Sequence, residues 1–170
     1  MTNPVKEKEL SIDRELLQKI CSSQRWQTLL LRSITSESGK SLSKHNVIEM
    51  ADKAFCQLEE KDWLEAFAGH PMIGDISSLR KKYAQGKNLS EREQSQVSSA
   101  PEAILEKLLE LNQAYLDKFG FIFIVCATNK SADDMLGILQ SRIVNNRSDE
   151  LLNATIEQKK ISQIRMEVLL

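Results

Sequence analysis

Apolar residues recur at helical spacing along almost the whole of this 170-residue chain, and one stretch breaks that rhythm. The exception is Phe119 to Ala127, FGFIFIVCA, a short continuous apolar run of the kind that forms buried strands. One such run has no second strand to share its backbone hydrogen bonds, so it cannot make a sheet alone. It therefore reads as a buried extended segment set among helices. With only six glycines and three prolines to punctuate it, the rest of the chain is predicted to be all-α. The length suits one domain with a real core. The expectation is a single-domain helical bundle of about seven or eight helices, spanning residues 1–170, with a short extended segment.

The helices follow from periodicity and caps. Leu16, Leu17, Ile20, Cys21, Trp26 and Leu30 share one face of a helix over about Glu15 to Leu31, with a break near Ser22 and Ser23. Ser33 to Ser43 is serine-rich, contains Gly39, and reads as a loop. Val47, Met50, Ala51, Ala54, Phe55 and Leu58 trace the next helix, and Trp63, Leu64, Ala66 and Phe67 a shorter one that stops at His70-Pro71. Proline disfavours helical geometry in the residue before it, which gives the stop a mechanical cause. Asp75 or Ser77 is expected to cap a helix carrying Leu79 and Tyr83, and Ala84 to Leu89 to form a loop. Ser90 to Gln94 opens another helix, Pro101 a long one, Ser131 caps a further one, and the last runs from about Asp149.

Charge narrows the function. Lys plus Arg number 23 against 24 for Asp plus Glu, a net charge of -1. Nucleic-acid and membrane-surface binding call for a basic excess, so neither partner is expected. No apolar run reaches the roughly 20 residues that span a bilayer. The N-terminal residues lack the apolar core of a secretory signal, and Glu167 to Leu170 does not end as a peroxisomal address does. Three widely spaced cysteines, Cys21, Cys56 and Cys126, fit neither a disulfide framework nor a paired-thiol zinc motif. They read as apolar thiols in a reducing compartment. No metal site is expected from His45 and His70, and no phosphate-binding loop, dinucleotide fingerprint, nucleophile elbow or zinc-protease motif occurs, so no cofactor is implied.

Two features could carry chemistry. His70 sits on a rigid joint between apolar neighbours, and histidine exchanges protons near neutrality because its unperturbed pKa is about 6.5. It either ends a helix and donates to a carbonyl, or serves as an acid–base group. Ser90-x-x-Glu93 has the spacing of a capping box, and Glu93 either caps its helix or turns into a cleft to orient an imidazole, with Gln94 offering an amide beside it. The Phe119 to Ala127 run either fills the core or presents free backbone groups to a planar, urea-rich ligand. Arg165 is an exposed charge unless a carboxylate or ureido group faces it.

WLEAFAGHPMIGD, SEREQ, YLDKFGFIFIVCATNKS and RIVNNRSDELLNATIEQKKISQIRMEVL stand in the order and approximate spacing of one known family. From about Trp26 to the C-terminus the chain resembles 2-oxo-4-hydroxy-4-carboxy-5-ureidoimidazoline (OHCU) decarboxylase, which completes the conversion of urate to allantoin. The resemblance implies an all-helical, cofactor-free, cytoplasmic homodimer that decarboxylates a small-molecule substrate to (S)-allantoin. It places the catalytic histidine on His70 next to Pro71, and the acidic partner on Glu93 with Ser90 and Gln94 beside it. It further implies that the backbone of Ile124, Val125, Cys126, Ala127 and Thr128 holds the substrate ring and that Arg165 contacts the substrate. Where the family commonly has proline, this chain has Ile122. Two rivals remain: a non-catalytic helical binding module, and an enzyme on the same fold acting on a related ureido acid.

Overall fold

The computed structural model describes residues 11–37, 42–71, 77 and 101–170. Among them are seven helices and no strand, in the order α1 (Arg14–Ile20), α2 (Gln24–Ser36), α3 (Lys44–Phe55), α4 (Glu60–Ala68), α5 (Glu102–Phe119), α6 (Ala132–Arg142) and α7 (Arg147–Leu169). The protein is all-α. Several starts follow one rule: Asp13, Ser23, Ser43 and Ser131 each accept a hydrogen bond from the backbone N–H three residues on, which satisfies a donor that the first turn leaves open. Ser23 thus makes the break expected near Ser22 and Ser23. At Ser131 the bond is reciprocal, since the Asp134 carboxylate accepts from the Ser131 N–H at 2.9 Å.

The loop expected from Ser33 begins later than its serine content suggested. Helix α2 continues through Ser36, because the hydroxyls of Ser33, Thr35 and Ser36 donate to carbonyls of the preceding turn instead of unwinding it. Helix α3 ends at Phe55, leaving Leu58 beyond it. Helix α7 starts at Arg147, where the Asn146 side chain accepts from the Asp149 N–H at 2.9 Å. The expected cap at Asp75, the helix of Leu79 and Tyr83, the 84–89 loop and the Ser90–Gln94 helix start lie outside the described residues; Ser77 itself is helical and exposed.

The chain divides into two compact units, one of residues 1–66 and 162–170, the other of residues 67–161. The core of the first holds Leu17, Ile20, Trp26, Leu30, Val47, Ala51 and Phe55. Trp26 stacks on Phe55 with centroids 5.1 Å apart, Phe55 on Trp63 at 5.6 Å, and the Trp26 indole N–H donates to the Ala51 carbonyl at 3.2 Å. The core of the second is an aromatic cluster: Phe67 meets Phe121 at 5.5 Å, and Tyr115 meets Phe119, Phe121 and Phe123 at 4.6, 5.9 and 5.3 Å. Leu105, Leu108, Met135 and Leu139 are buried in the same unit.

Helix α5 ends at Gly120 in the left-handed region, φ 77°, which glycine enters without a Cβ penalty. Residues 122–127 then form neither helix nor strand. Ile124 and Cys126 are buried while Val125 and Ala127 are partly exposed, the alternation of extended chain.

Candidate active site

Helix α4 delivers His70. Its first turn is fixed by Asp62, whose carboxylate accepts from the Glu59 N–H at 2.9 Å, and its end by a final turn in which the His70 N–H donates to the Phe67 carbonyl at 3.1 Å. Pro71, exposed, cannot continue the helix, so His70 stands at its end with a half-buried side chain. The ring meets helix α7: His70 Nε2 lies 2.7 Å from Oε1 of Gln158, a residue with 0% exposure.

The extended segment has no partner strand, and side chains take over the work a ladder would do. Arg142 Nη1 donates to the Ile124 carbonyl at 2.7 Å, the Cys126 N–H donates to the Glu157 carboxylate at 2.7 Å, and Lys130 Nζ donates to the Cys126 carbonyl at 2.7 Å. Asn129 follows in the left-handed region, φ 59°, within the turn that leads into α6. Burial pushes the Glu157 carboxyl up, but Lys160 and the Cys126 N–H outweigh it and hold the group below its ordinary value. It is therefore an ionised acceptor at neutral pH. Glu157 and Gln158 are consecutive on α7, so one turn of that helix holds both the imidazole and the segment containing Cys126.

Behind the segment lies a carboxylate with 0% exposure, Glu150. Tyr115 donates to it at 2.5 Å, Arg142 Nε at 2.5 Å, Asn145 at 3.0 Å and Asn153 at 3.2 Å. Burial alone raises its pKa, yet these donors prevail and lower it. Burial also pushes the Tyr115 phenol far above its usual range, and its bond to Glu150 adds to that. Arg142 reaches from this network to the Ile124 carbonyl, and its guanidinium lies 4.8 Å from the Phe123 ring centroid. The backbone of the segment is thus anchored by Arg142, itself paired with Glu150, and by Glu157 and Lys130.

Five of the sequence-predicted ligand contacts, Ile124 to Thr128, are described together as this anchored segment and the turn after it. Val125 also lines a cleft of about 380 Å³ with Lys130, Arg142, Asn153, Glu157 and Lys160. Arg165 is half-buried, not simply an exposed charge. Its guanidinium donates to the Ile20 carbonyl at 3.1 Å and the Lys19 carbonyl at 3.4 Å, closing the end of α1, and burial lowers its pKa. Ser90, Glu93 and Gln94 lie outside the described residues. Among the described residues no group of three His, Cys, Asp or Glu side chains is placed to hold a metal ion.

Sequence reasoning missed Gln158, Glu157, Arg142 and Glu150. A signal exists for the helix that carries three of them. Glu150, Ala154, Gln158, Ser162 and Met166, at four-residue intervals on α7, all have 0% exposure, whereas Leu152, Ile156 and Val168 are exposed. Mostly polar or small residues repeating at that interval mark a buried polar face.

The family model described as OHCU decarboxylase matches residues 11–167. Among curated proteins the chain is similar to the uric acid degradation bifunctional protein TTL of Arabidopsis thaliana, 38% identical over 133 residues, which make up 77% of this chain and 40% of that protein. It is also similar to the 2-oxo-4-hydroxy-4-carboxy-5-ureidoimidazoline decarboxylase of Xenopus laevis, 37% identical over 79 residues, 45% of each chain. Among solved structures it is similar to a crystal structure of OHCU decarboxylase in the presence of (S)-allantoin, with a TM-score of 0.69 and 32% identity, covering 92% of this chain and 98% of that one. The chain spans less than half the length of the bifunctional uric acid degradation proteins it matches.

Proposed function

Because this chain belongs to the OHCU decarboxylase family, we propose that it converts 2-oxo-4-hydroxy-4-carboxy-5-ureidoimidazoline to (S)-allantoin and carbon dioxide. The substrate carries its own electron sink, a ring C=N bond next to the carbon that bears the carboxylate. Breaking the bond to the carboxylate releases carbon dioxide and sends the electron pair through that C=N, whose nitrogen takes up a proton. The hydroxyl proton then leaves as the carbonyl forms, and a proton enters one face of the neighbouring ring carbon. No external electron sink is needed, so the protein's tasks are orientation and proton handling.

The observation that carries this reading is the shared anchorage on α7. His70 bonds to Gln158 and the Cys126 N–H bonds to Glu157, so the imidazole and the segment proposed to hold the ring are fixed by successive residues. His70 acts on the hydroxyl proton and protonates the planar intermediate from one side, with Glu93 as its acidic partner and Pro71 keeping it at the helix end. Ser90, Gln94, the Ile124–Thr128 backbone and Arg165 bind the substrate. Positioned acid–base catalysis of this kind is worth roughly 100- to 10,000-fold. OHCU also decays spontaneously to racemic allantoin, so loss of substrate is a poor assay. Circular dichroism during consumption of freshly made OHCU is the test: one allantoin enantiomer supports the reading, and a racemate formed at the spontaneous rate removes it.

The same reading places the protein in the cytoplasm as a homodimer. In support of a dimer, Val144, Leu152 and Ile156 in the second unit are 76%, 60% and 44% exposed, large apolar side chains that a second copy would cover. Sedimentation equilibrium giving a monomer at micromolar concentration would remove that part. Three free cysteines suit a reducing compartment. No helix among the described residues is long and apolar enough to cross a membrane.

A further inference from the structure

We propose that Gln158 is a positioning residue for His70: its side-chain carbonyl keeps a proton on Nε2 in both charge states of the ring, so that Nδ1 is the atom that gains and loses a proton. This rests on the reading of His70 as the acid–base group and goes beyond it by naming the reacting nitrogen and the residue that selects it.

The geometry is direct. Gln158 Oε1 lies 2.7 Å from His70 Nε2, and a carbonyl oxygen only accepts, so the ring donates. The bond made by one imidazole nitrogen decides the role of the other. Gln158 has 0% exposure, and its backbone belongs to the long helix α7. No buried side-chain nitrogen or oxygen among the described residues lacks a partner, so turning the amide to present its NH2 to the ring would break a satisfied arrangement.

The choice of an amide also has a chemical meaning. A carboxylate at this position would favour the charged imidazolium and resist the return of the ring to neutrality. A neutral acceptor fixes the tautomer without itself adding a negative charge beside Nε2. The preceding residue, Glu157, carries the anion and spends it on the Cys126 N–H and Lys160, away from this bond.

The chain makes the test clean, because His45, with 80% side-chain exposure, is the only other histidine. Nitrogen-15 NMR of labelled His45→Gln protein, at a pH where the remaining ring is neutral, reads the tautomer of His70 without substrate. The expected spectrum shows the proton on Nε2. In Gln158→Met, which removes the acceptor at similar length, the ring should lose that single tautomer and kcat should fall roughly 10- to 100-fold with KM little changed, the scale known for lost second partners of metal-bound histidines. Gln158→Glu keeps an oxygen acceptor in either charge state and should restore the Nε2 proton. A spectrum with the proton on Nδ1, or a Gln158→Met protein with wild-type kcat, would overturn the proposal. If the wild-type protein yields only racemic allantoin, the catalytic reading fails instead, while the spectrum still decides the tautomer.

Discussion

A carboxylate with 0% exposure is tolerated at position 150 because Tyr115, Arg142, Asn145 and Asn153 all donate to it. Replacing Glu150 by alanine leaves the Arg142 guanidinium buried without its anion, and breaking a buried pair in this way costs about 3–5 kcal/mol. Urea denaturation should show a midpoint lowered accordingly, whereas an unchanged midpoint would mean that the network is idle. The folded carboxyl has a pKa below its ordinary 4.5. Its contribution is therefore complete above that value and disappears as the pH falls through the lower folded value. Acid unfolding should steepen below pH 4.5, and Glu150→Gln should flatten that limb. The thiols make a second prediction: burial pushes Cys21 up to about 11, Cys126 is buried and Cys56 is exposed, so a thiol reagent should find one fast cysteine in the native protein and three after unfolding. At this scale the place of His70 at a helix end was legible, because the proline that follows it disfavours helix there. Gln158 was not. An amide in the middle of a charged helix carries no mark that says whether water or an imidazole will face it.

Among the elements, the run FGFIFIVCA announced itself, since an apolar stretch without a partner strand must still satisfy its backbone. Its clamps were illegible because Arg142, Lys130 and Glu157 look like ordinary helix or turn charges until the chain brings them to Ile124 and Cys126. Replacing Glu157 by alanine removes the acceptor of the Cys126 N–H. Hydrogen exchange at that amide should accelerate, and exchange as slow as in the wild type would show that Glu157 is not what holds it. Helix α6 begins just after the segment with the Ser131–Asp134 capping box; the sequence located the cap at Ser131 but not the reciprocal bond of Asp134. Ser131→Ala should cost about 1 kcal/mol in a denaturant titration, and no loss would mean that the box is redundant. The error at Ser33 to Ser36 has a physical source as well. Serine and threonine favour loops only when their hydroxyls compete with the helix, and here they bond to its carbonyls instead. Helix α7 inverts the usual pattern by burying Glu150, Gln158 and Ser162 while exposing Leu152, Ile156 and Val168, so apolar periodicity points to the wrong face.

For the molecule as a whole, the class was legible because no second strand candidate exists, and the family because its motifs are spread in order from Trp26 to the C-terminus. Two of those motifs, around His70 and around Cys126, meet the same turn of α7 through Gln158 and Glu157. Neither contact is written in the motifs themselves. They depend on the chain returning, 88 residues after His70, to place a wholly buried glutamine beside its ring. The central claim is that this imidazole delivers a proton to one face of a planar intermediate. It is tested most directly by following circular dichroism as freshly generated OHCU is consumed by wild-type and His70→Asn proteins of equal helical content. The wild type should accumulate (S)-allantoin, and His70→Asn should lose roughly 100-fold or more of that rate and leave a near-racemic product. A folded His70→Asn protein that makes the same enantiomer at the wild-type rate would contradict the account.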